Sequence, residues 1–210
     1  TRTYKHVKFI NAYGMSEAGS RISIAAPEPK LFPIESVGKP IPSVKVRITD
    51  ESGRSLPPGL IGEIEVRSPG VFKGYFNDPE QTSKAIVNGW LKTGDLGKVD
   101  AEGNLYISGR KKEMILCGGE NIYPAEIEEV LMKNEFIKEA AVVPVPDERL
   151  QEVPCAFLVV KQIVSIQAIK NFCIKRLSSS KVPRRIIFTD ILPKLDSSKI
   201  DKRKLKQIAS

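Results

Sequence analysis

Short runs of alternating apolar and charged residues predict a mostly β fold for the first half of the chain. Two runs, 44–48 and 61–67, follow the period of two that is typical of strands with one buried face. In the second run Ile64 and Val66 share one face, and the charged residues that alternate with them share the other. The apolar run 7–12 predicts a short buried strand. Turn-forming residues separate the predicted strands, at 50–53, 57–59 and 100–104.

The second half of the chain combines helical and extended patterns. A helix is predicted over 124–133, because proline is tolerated in a first helical turn and apolar residues then recur on one face. Ser165 can cap a second helix, whose apolar face extends to Leu177. The remaining predicted elements are strands at 114–116, 140–145, 155–160 and 185–189 and a closing helix at 201–208.

These patterns together predict a mixed α/β chain in two parts. A β-rich part covers residues 1–110 and a compact α+β part covers 111–210, with the boundary near Arg110 to Lys112. A chain of 210 residues can bury one sizeable core or two small ones.

The composition is that of an ordinary globular protein, with 41% hydrophobic and 28% charged residues. No apolar run approaches the roughly 20 residues that span a bilayer, so no transmembrane segment is expected. The three cysteines, Cys117, Cys155 and Cys173, are odd in number and lack metal-ligand spacing. They predict buried thiols in a reducing, cytoplasmic environment.

The net charge of +8 is concentrated in the last part of the chain. Basic chains attract nucleic acids, but aromatic residues do not alternate with these cations to form a stacking platform for bases. We therefore interpret the charge as a solvated face, or as a local field that attracts the phosphates of ATP or coenzyme A. No nucleic-acid partner is expected.

Candidate chemistry is densest between residues 93 and 121. Asp95, in the tripeptide Thr-Gly-Asp, can accept hydrogen bonds from a vicinal diol such as that of a ribose. Arg110 can hold hydroxyl or phosphate oxygens with its planar fork of donors. Gly118 and Gly119 allow the backbone to approach a ligand closely. Together these residues predict a nucleotide bound where two parts of the protein meet.

Related chemistry lies near both ends of the chain. Tyr13 offers a ring that can stack on a base, followed by the flexible Gly14. Ser16 adds a hydroxyl, and Glu17 adds a carboxylate suited to Mg²⁺. At the other end, a polar loop presents Lys199 before a short helical pattern.

Five motifs in this order resemble the C-terminal part of the adenylate-forming enzymes, which include acyl-CoA synthetases, peptide-synthetase adenylation domains and luciferase. They lie at Tyr13 to Glu17, Gly74 to Glu80, Gly89 to Asp95, Gly109 to Glu128 and Leu192 to Lys204. The sequence Gly-Trp-Leu-Lys-Thr-Gly-Asp at 89–95 is more similar to the corresponding motif of acyl-CoA ligases than to that of peptide-synthetase domains.

The resemblance implies an AMP-forming acyl-CoA synthetase, a ligase that joins a fatty, aryl or other small carboxylic acid to coenzyme A with ATP and Mg²⁺. Residues 1–110 would be the end of the large N-terminal domain, as a barrel-like β subdomain. Residues 111–210 would be a mobile α+β domain. By the same resemblance, the acyl-adenylate would form first, and rotation of the mobile domain would then allow the thiol to attack.

The resemblance also implies a role for each candidate residue. Tyr13 would stack on the adenine, beside Gly14 and Ser16. Glu17 would supply a carboxylate to Mg²⁺. Asp95 and Arg110 would bind the ribose, and Lys112 would be the hinge. Gly118 and Gly119 would line the pantetheine tunnel. Lys199 would be the catalytic residue.

Two features depart from the family pattern. The phosphate-binding loop of the family is expected well upstream of Tyr13, where only twelve residues precede it, so the chain is expected to be a fragment that cannot form the adenylate by itself. The family usually has Ser-Gly-Lys at the catalytic lysine, whereas this chain has Ser197, Ser198 and Lys199. Serine in place of glycine costs little unless the backbone there needs a positive φ.

Alternative functions remain open. The acyl group could pass to the phosphopantetheine arm of a carrier protein instead of coenzyme A. The two parts could also form a non-catalytic binding module. A basic nucleic-acid-binding protein ranks third, since only net charge favours it.

Overall fold

The computed structural model describes residues 10–25 and 36–209. The chain divides into two compact units, Thr1–Lys111 and Lys112–Ser210. Of the strand predicted over 7–12, residues 7–9 lie outside the described residues, and of 10–12 only Ala12 is in a strand. The predicted burial is wrong for 10–12, because these residues lead into an edge strand and are exposed. Within them, as predicted, the fold is mixed α/β, with helices and three sheets.

The first unit is built mainly from strands. The strands are β1 Ala12–Tyr13, β2 Ser23–Ile24, β3 Lys39–Pro40, β4 Lys45–Thr49, β5 Gly62–Arg67, β6 Ile86–Val87, β7 Trp90–Val99 and β8 Leu105–Arg110, and the helix is α1 Pro79–Ala85. One sheet has the order β1-β2-β3, and the other has the order β4-β5-β7-β6 with β8 paired to β7. Neither sheet closes on itself in the described residues. The β subdomain that was expected to be barrel-like therefore consists of open sheets there.

Strand β5 shows where the alternating pattern was right and where it was incomplete. Ile64 and Val66 are fully buried, as their shared face predicted. The opposite face is also covered, because Glu63 and Glu65 are almost inaccessible to solvent. Each of these carboxylates has a basic partner: the Lys111 Nζ lies 2.7 Å from Glu63, and the Arg47 guanidinium lies 2.6 Å from Glu65. Pairing with a basic side chain offsets the free-energy cost of burying each carboxylate.

Helix α1 was not predicted from the sequence. Asp78 caps it by accepting a hydrogen bond from the Gln81 backbone N–H at 2.8 Å, and Pro79 occupies the first turn. An aspartate followed by proline is a recognisable helix start, but the helix has only seven residues and buries none of them. Without a buried stripe, there was no periodic pattern to reveal it.

The second unit places helices against a five-stranded sheet. Its elements are β9 Ile115–Cys117, β10 Glu120–Ile122, α2 Pro124–Met132, β11 Ile137–Asp147, β12 Gln151–Val160, α3 Ile166–Ile174, β13 Arg185–Phe188 and α4 Lys202–Ala209. The sheet order is β10-β9-β12-β11, with β13 parallel to β12. The three helices predicted for this part and its four predicted strands are confirmed, while β10 was missed.

A long hairpin of β11 and β12 forms the centre of the second core, and α2 and α4 both pack against β11. Ser165 caps α3 by accepting from the Ala168 N–H, as predicted. The three cysteines are buried and unbridged, and burial raises the pKa of each thiol. Over 10–25 and 36–209, no helix has both the length and the apolar character needed to cross a membrane.

Candidate functional site

Asp95 lies in the interior of β7, and the Thr-Gly-Asp tripeptide is part of that strand. The pairing of β7 with β5 steps from Lys92 opposite Glu65 to Leu96 opposite Glu63, so β7 carries extra residues and bulges. Gly94 has a φ of +70° within this bulge, a conformation that favours glycine.

Thr93 holds the bulge in place. Its hydroxyl donates to the Ile64 carbonyl at 2.8 Å and accepts from the Asp95 backbone N–H at 3.1 Å. Because Thr93 is buried, these two bonds fix the direction in which the next side chains leave the strand. This role of Thr93 was not predicted from the sequence.

The structure brings Tyr13, Asp95 and Arg110 together. The Tyr13 hydroxyl donates to Asp95 Oδ2 at 2.5 Å, and the Arg110 Nε lies 2.8 Å from Asp95 Oδ1. Arg110 is the register partner of Asp95 across the antiparallel β7–β8 pair. Burial, and then the hydrogen bond to Asp95, raise the pKa of the Tyr13 phenol, so it remains a neutral donor. The three residues form what we call the carboxylate cluster.

The carboxylate cluster retains capacity for a ligand. An ionised carboxylate offers about four acceptor positions, and Tyr13 and Arg110 occupy two of them. The Asp95 side chain is 6% exposed, whereas the Arg110 side chain is 46% exposed and forms the accessible part of the cluster. A vicinal diol, with two hydroxyl donors, matches the acceptor positions that remain.

The segment after Tyr13 is compact. A Cβ on Gly14 would lie 1.8 Å from the Ser20 carbonyl oxygen, so only glycine fits this close backbone approach. Ser16 is exposed at the start of a short 3₁₀ turn, and Glu17 in that turn is half-buried. The Tyr75 hydroxyl donates to Glu17 Oε1 at 3.4 Å, a contact that was not predicted from the sequence.

Glu17 is a single carboxylate rather than part of a cage. The described residues contain no group of three or more His, Cys, Asp or Glu side chains that could hold a metal ion. Mg²⁺ usually binds proteins through one or two carboxylates and keeps water and substrate phosphates as its other ligands. One half-buried carboxylate therefore suits an ion that arrives with a nucleotide.

Gly118 and Gly119 form the two-residue turn between β9 and β10. Their φ angles are +57° and +84°, which is the type I′ geometry that two-residue hairpins favour. Both residues are exposed, and the Gly118 N–H donates to the Leu150 carbonyl at 2.9 Å. The turn is a fixed, exposed edge with no side chain at its tip.

Lys199 lies in a tight loop that precedes α4. Lys194 and Ile200 pair at the base of this loop, and the Leu195 N–H donates to the Lys199 carbonyl at 2.8 Å. The Ser198 N–H donates back to the Leu195 carbonyl, also at 2.8 Å. The backbone is thus fixed by its own hydrogen bonds, while the Lys199 side chain is exposed.

The cations on either side of Lys199 are already paired. Lys194 lies 2.9 Å from Glu139, and Lys202 contacts two carboxylates. None of the ion pairs found among residues 10–25 and 36–209 includes Lys199. Its ammonium is therefore available to an anion from outside the second unit.

The neighbouring Ser198 has a φ of +63°, so the condition under which serine is unfavourable here is met. We expect Ser198→Gly to raise the free energy of unfolding by about 0.5–1 kcal/mol, because glycine adopts this region without a Cβ penalty but loses more chain entropy on folding. Ser197→Gly is the matched control, since φ at Ser197 is not positive. Urea titration of both variants measures the effect, and equal shifts in both would contradict the strain at Ser198.

Lys112 is the first residue of the second unit. It is exposed in the middle of a 3₁₀ turn, Lys111–Glu113, and both of its neighbours form ion pairs within their own units. The predicted hinge therefore coincides with the point at which the two units are joined.

Two family models match the chain. The model described as AMP-binding enzyme matches residues 1–76, and the model described as AMP-binding enzyme C-terminal domain matches 126–199, so together they include more than two thirds of the chain. A 2–succinylbenzoate–CoA ligase from Geobacillus sp. (strain WCH70) is 42% identical over 206 residues, which is 97% of this chain and 42% of that protein.

Solved structures show the same similarity. The o-succinylbenzoate CoA synthetase from Bacillus subtilis, in complex with the acyl-adenylate intermediate OSB-AMP, has a TM-score of 0.88 and 40% identity, covering 94% of this chain and 40% of that one. An amide bond synthetase from Marinactinospora thermotolerans has a TM-score of 0.88 and 35% identity, covering 96% and 42%. The chain thus spans about two fifths of the length of the relatives that it matches.

Proposed function

The chain belongs to the AMP-binding enzyme family, and from that premise we propose that it forms the ribose-binding and mobile parts of a carboxylic acid–CoA ligase. In the first half-reaction a carboxylate oxygen attacks the α-phosphate of ATP, and pyrophosphate leaves. In the second, the thiol of coenzyme A attacks the acyl carbonyl, loses its proton, and displaces AMP. The carboxylate cluster is the observation that carries the proposal.

In the proposed complex the first unit holds the nucleoside. Asp95 accepts hydrogen bonds from the two ribose hydroxyls with the acceptor positions that the cluster leaves open. Arg110 offers further donors at the accessible side of the cluster. The Tyr13 ring stacks on the adenine while its hydroxyl stays bonded to Asp95. Gly14 and Ser16 shape the backbone beside the base.

Negative charge develops on the phosphates during the first half-reaction. Lys199 is suited to stabilise it, because its ammonium has no carboxylate partner in the described residues while its neighbours do. Mg²⁺ would supply further charge neutralisation, with Glu17 as a protein ligand. Positioning and electrostatic stabilisation are the main contributions that such a phosphate transfer requires.

The second half-reaction needs a different surface at the same adenylate. We propose that the second unit rotates about Lys112, so that Lys199 leaves and the Gly118–Gly119 turn arrives. A turn without side chains can line a narrow channel for the pantetheine arm of coenzyme A.

The experiment uses the full-length protein that carries this chain. ATP–pyrophosphate exchange with a panel of fatty and aryl acids, including 2–succinylbenzoate, tests the first half-reaction, and thioester formation tests the second. We expect exchange with at least one acid and transfer to free coenzyme A. Absence of exchange with every acid would contradict the proposal. Transfer to a carrier protein but not to coenzyme A would favour the carrier-protein alternative.

A further inference from the structure

Lys202 joins two carboxylates inside the second unit. Its Nζ lies 2.9 Å from Glu113 Oε2 and 2.8 Å from Glu128 Oε1, and its side chain is only 21% exposed. Glu128 Oε1 also accepts from the Val142 backbone N–H at 2.7 Å. The three charged residues therefore form a largely shielded group that is tied to the backbone of β11.

The two carboxylates keep Lys202 charged in spite of its burial. Burial alone would lower the pKa of Lys202, but the carboxylates of Glu128 and then Glu113 outweigh it, and the pKa is raised. Lys202 is consequently a cation at neutral pH. If it were removed, Glu113 and Glu128 would face each other without a counter-charge, and their repulsion would separate them.

The three residues come from distant parts of the sequence. Glu113 follows Lys112 directly, Glu128 is on α2, and Lys202 begins α4, three residues after Lys199. On the other side of the junction, Lys111 is paired with Glu63 within the first unit. The two neighbours of Lys112 therefore form ion pairs in different units, Lys111 in the first and Glu113 in the second.

We propose that Lys202 is a positioning residue, which fastens the backbone after the hinge and the loop that bears Lys199 to the same core. This inference rests on the proposed function. Rotation at Lys112 then moves the Lys199 loop as part of a rigid body, because Glu113 and Lys202 cannot shift independently. Without the tie, the bonds that define the hinge still rotate, but Lys199 reaches the phosphates in a range of positions.

The test is Lys202→Met in the full-length protein, with Lys204→Met as the matched control. Lys204 is on the same helix, is exposed, and belongs to none of the ion pairs found in the described residues. We expect Lys202→Met to lower kcat for pyrophosphate exchange about 10- to 100-fold, since misplacement by about 1 Å can cost that much. The KM for ATP should change little, because the proposed ribose and base contacts are in the first unit. Lys202→Arg should restore most of the activity.

Hydrogen exchange separates positioning from simple destabilisation. In Lys202→Met, the amides of 112–114 and 194–201 should lose protection together, while those of β12 keep it. Unchanged kcat, or the same kcat loss in Lys204→Met, would overturn the proposal. If Lys202→Met does not fold, Glu113→Gln is the second variant, because it removes only the ion pair next to the hinge. An unchanged kcat for pyrophosphate exchange in Glu113→Gln would also overturn the proposal. Absence of ATP–pyrophosphate exchange in the wild-type protein would instead count against the proposed function.

Discussion

Replacing Lys199 with alanine is expected to slow adenylate formation in the full-length protein by about 10²–10³-fold, the usual effect of removing one group that stabilises developing charge. The loop would keep its shape, because its hydrogen bonds involve backbone groups and the Lys199 side chain makes no ion pair in the described residues. Thioester formation from a supplied acyl-adenylate should be largely unaffected, since in the proposed mechanism that step follows the departure of Lys199. Pyrophosphate exchange and single-turnover thioester formation measure the two steps separately.

Two control variants sharpen the test of Lys199. Lys199→Arg keeps the charge and should retain part of the exchange activity, whereas Lys204→Ala removes a nearby exposed cation and should retain all of it. Equal losses in both half-reactions of Lys199→Ala would reject the specific role of Lys199 in adenylation.

Replacing Lys112 with proline is expected to preserve adenylate formation and to reduce thioester formation by at least about 100-fold. Proline fixes φ near −65°, so a rotation that changes φ at the junction of the two units would be blocked. Lys112→Ala is the matched control, because it removes the charge but leaves the backbone free. We expect alanine to keep both half-reactions.

The hinge hypothesis makes the contrast between these two variants informative. If Lys112→Pro formed the thioester at the wild-type rate, rotation about Lys112 would not be required. If Lys112→Ala lost thioester formation as fully as proline did, the charge of the side chain would be responsible instead of the backbone.

Much of the fold was predictable because its determinants are local. Helix α2 begins with Pro124 and buries Ile127 and Leu131, and α3 is capped by Ser165, so proline, cap and apolar period specify these helices within a few residues. Helix α1 has a cap but no buried face, and β10 is only three residues long, so neither produced a pattern.

Long-range pairings limited what could be predicted about burial and geometry. Glu63 and Glu65 alternate with apolar residues and therefore resembled a solvated face, yet Lys111 and Arg47 cover them. The Thr-Gly-Asp tripeptide has the composition of a turn, but pairing with β5 makes it a bulge within a strand. In both cases tertiary contacts override the local preference.

The candidate site shows the same division. Residue chemistry made Tyr13, Asp95 and Arg110 candidates, but the hydrogen bond from Tyr13 to Asp95 connects residues 82 positions apart and could not be predicted from their spacing. From the sequence, serine at position 198 was expected to be unfavourable only if φ there were positive. The positive φ itself could not be predicted, because it depends on the hydrogen bonds that close the loop. The partners of Lys202 come from two other elements and were not foreseen.

We propose that Asp95 and Lys199, which belong to two separate units, act on one adenylate. Crystal structures of the full-length protein with an ATP analogue and with an acyl-adenylate mimic test it most directly. We expect Asp95 to lie within about 3 Å of the ribose hydroxyls in both complexes, and the Lys199 Nζ to lie within hydrogen-bonding distance of the α-phosphate in at least one. A sugar bound away from Asp95, with Lys199 remote from the phosphates in both complexes, would contradict it.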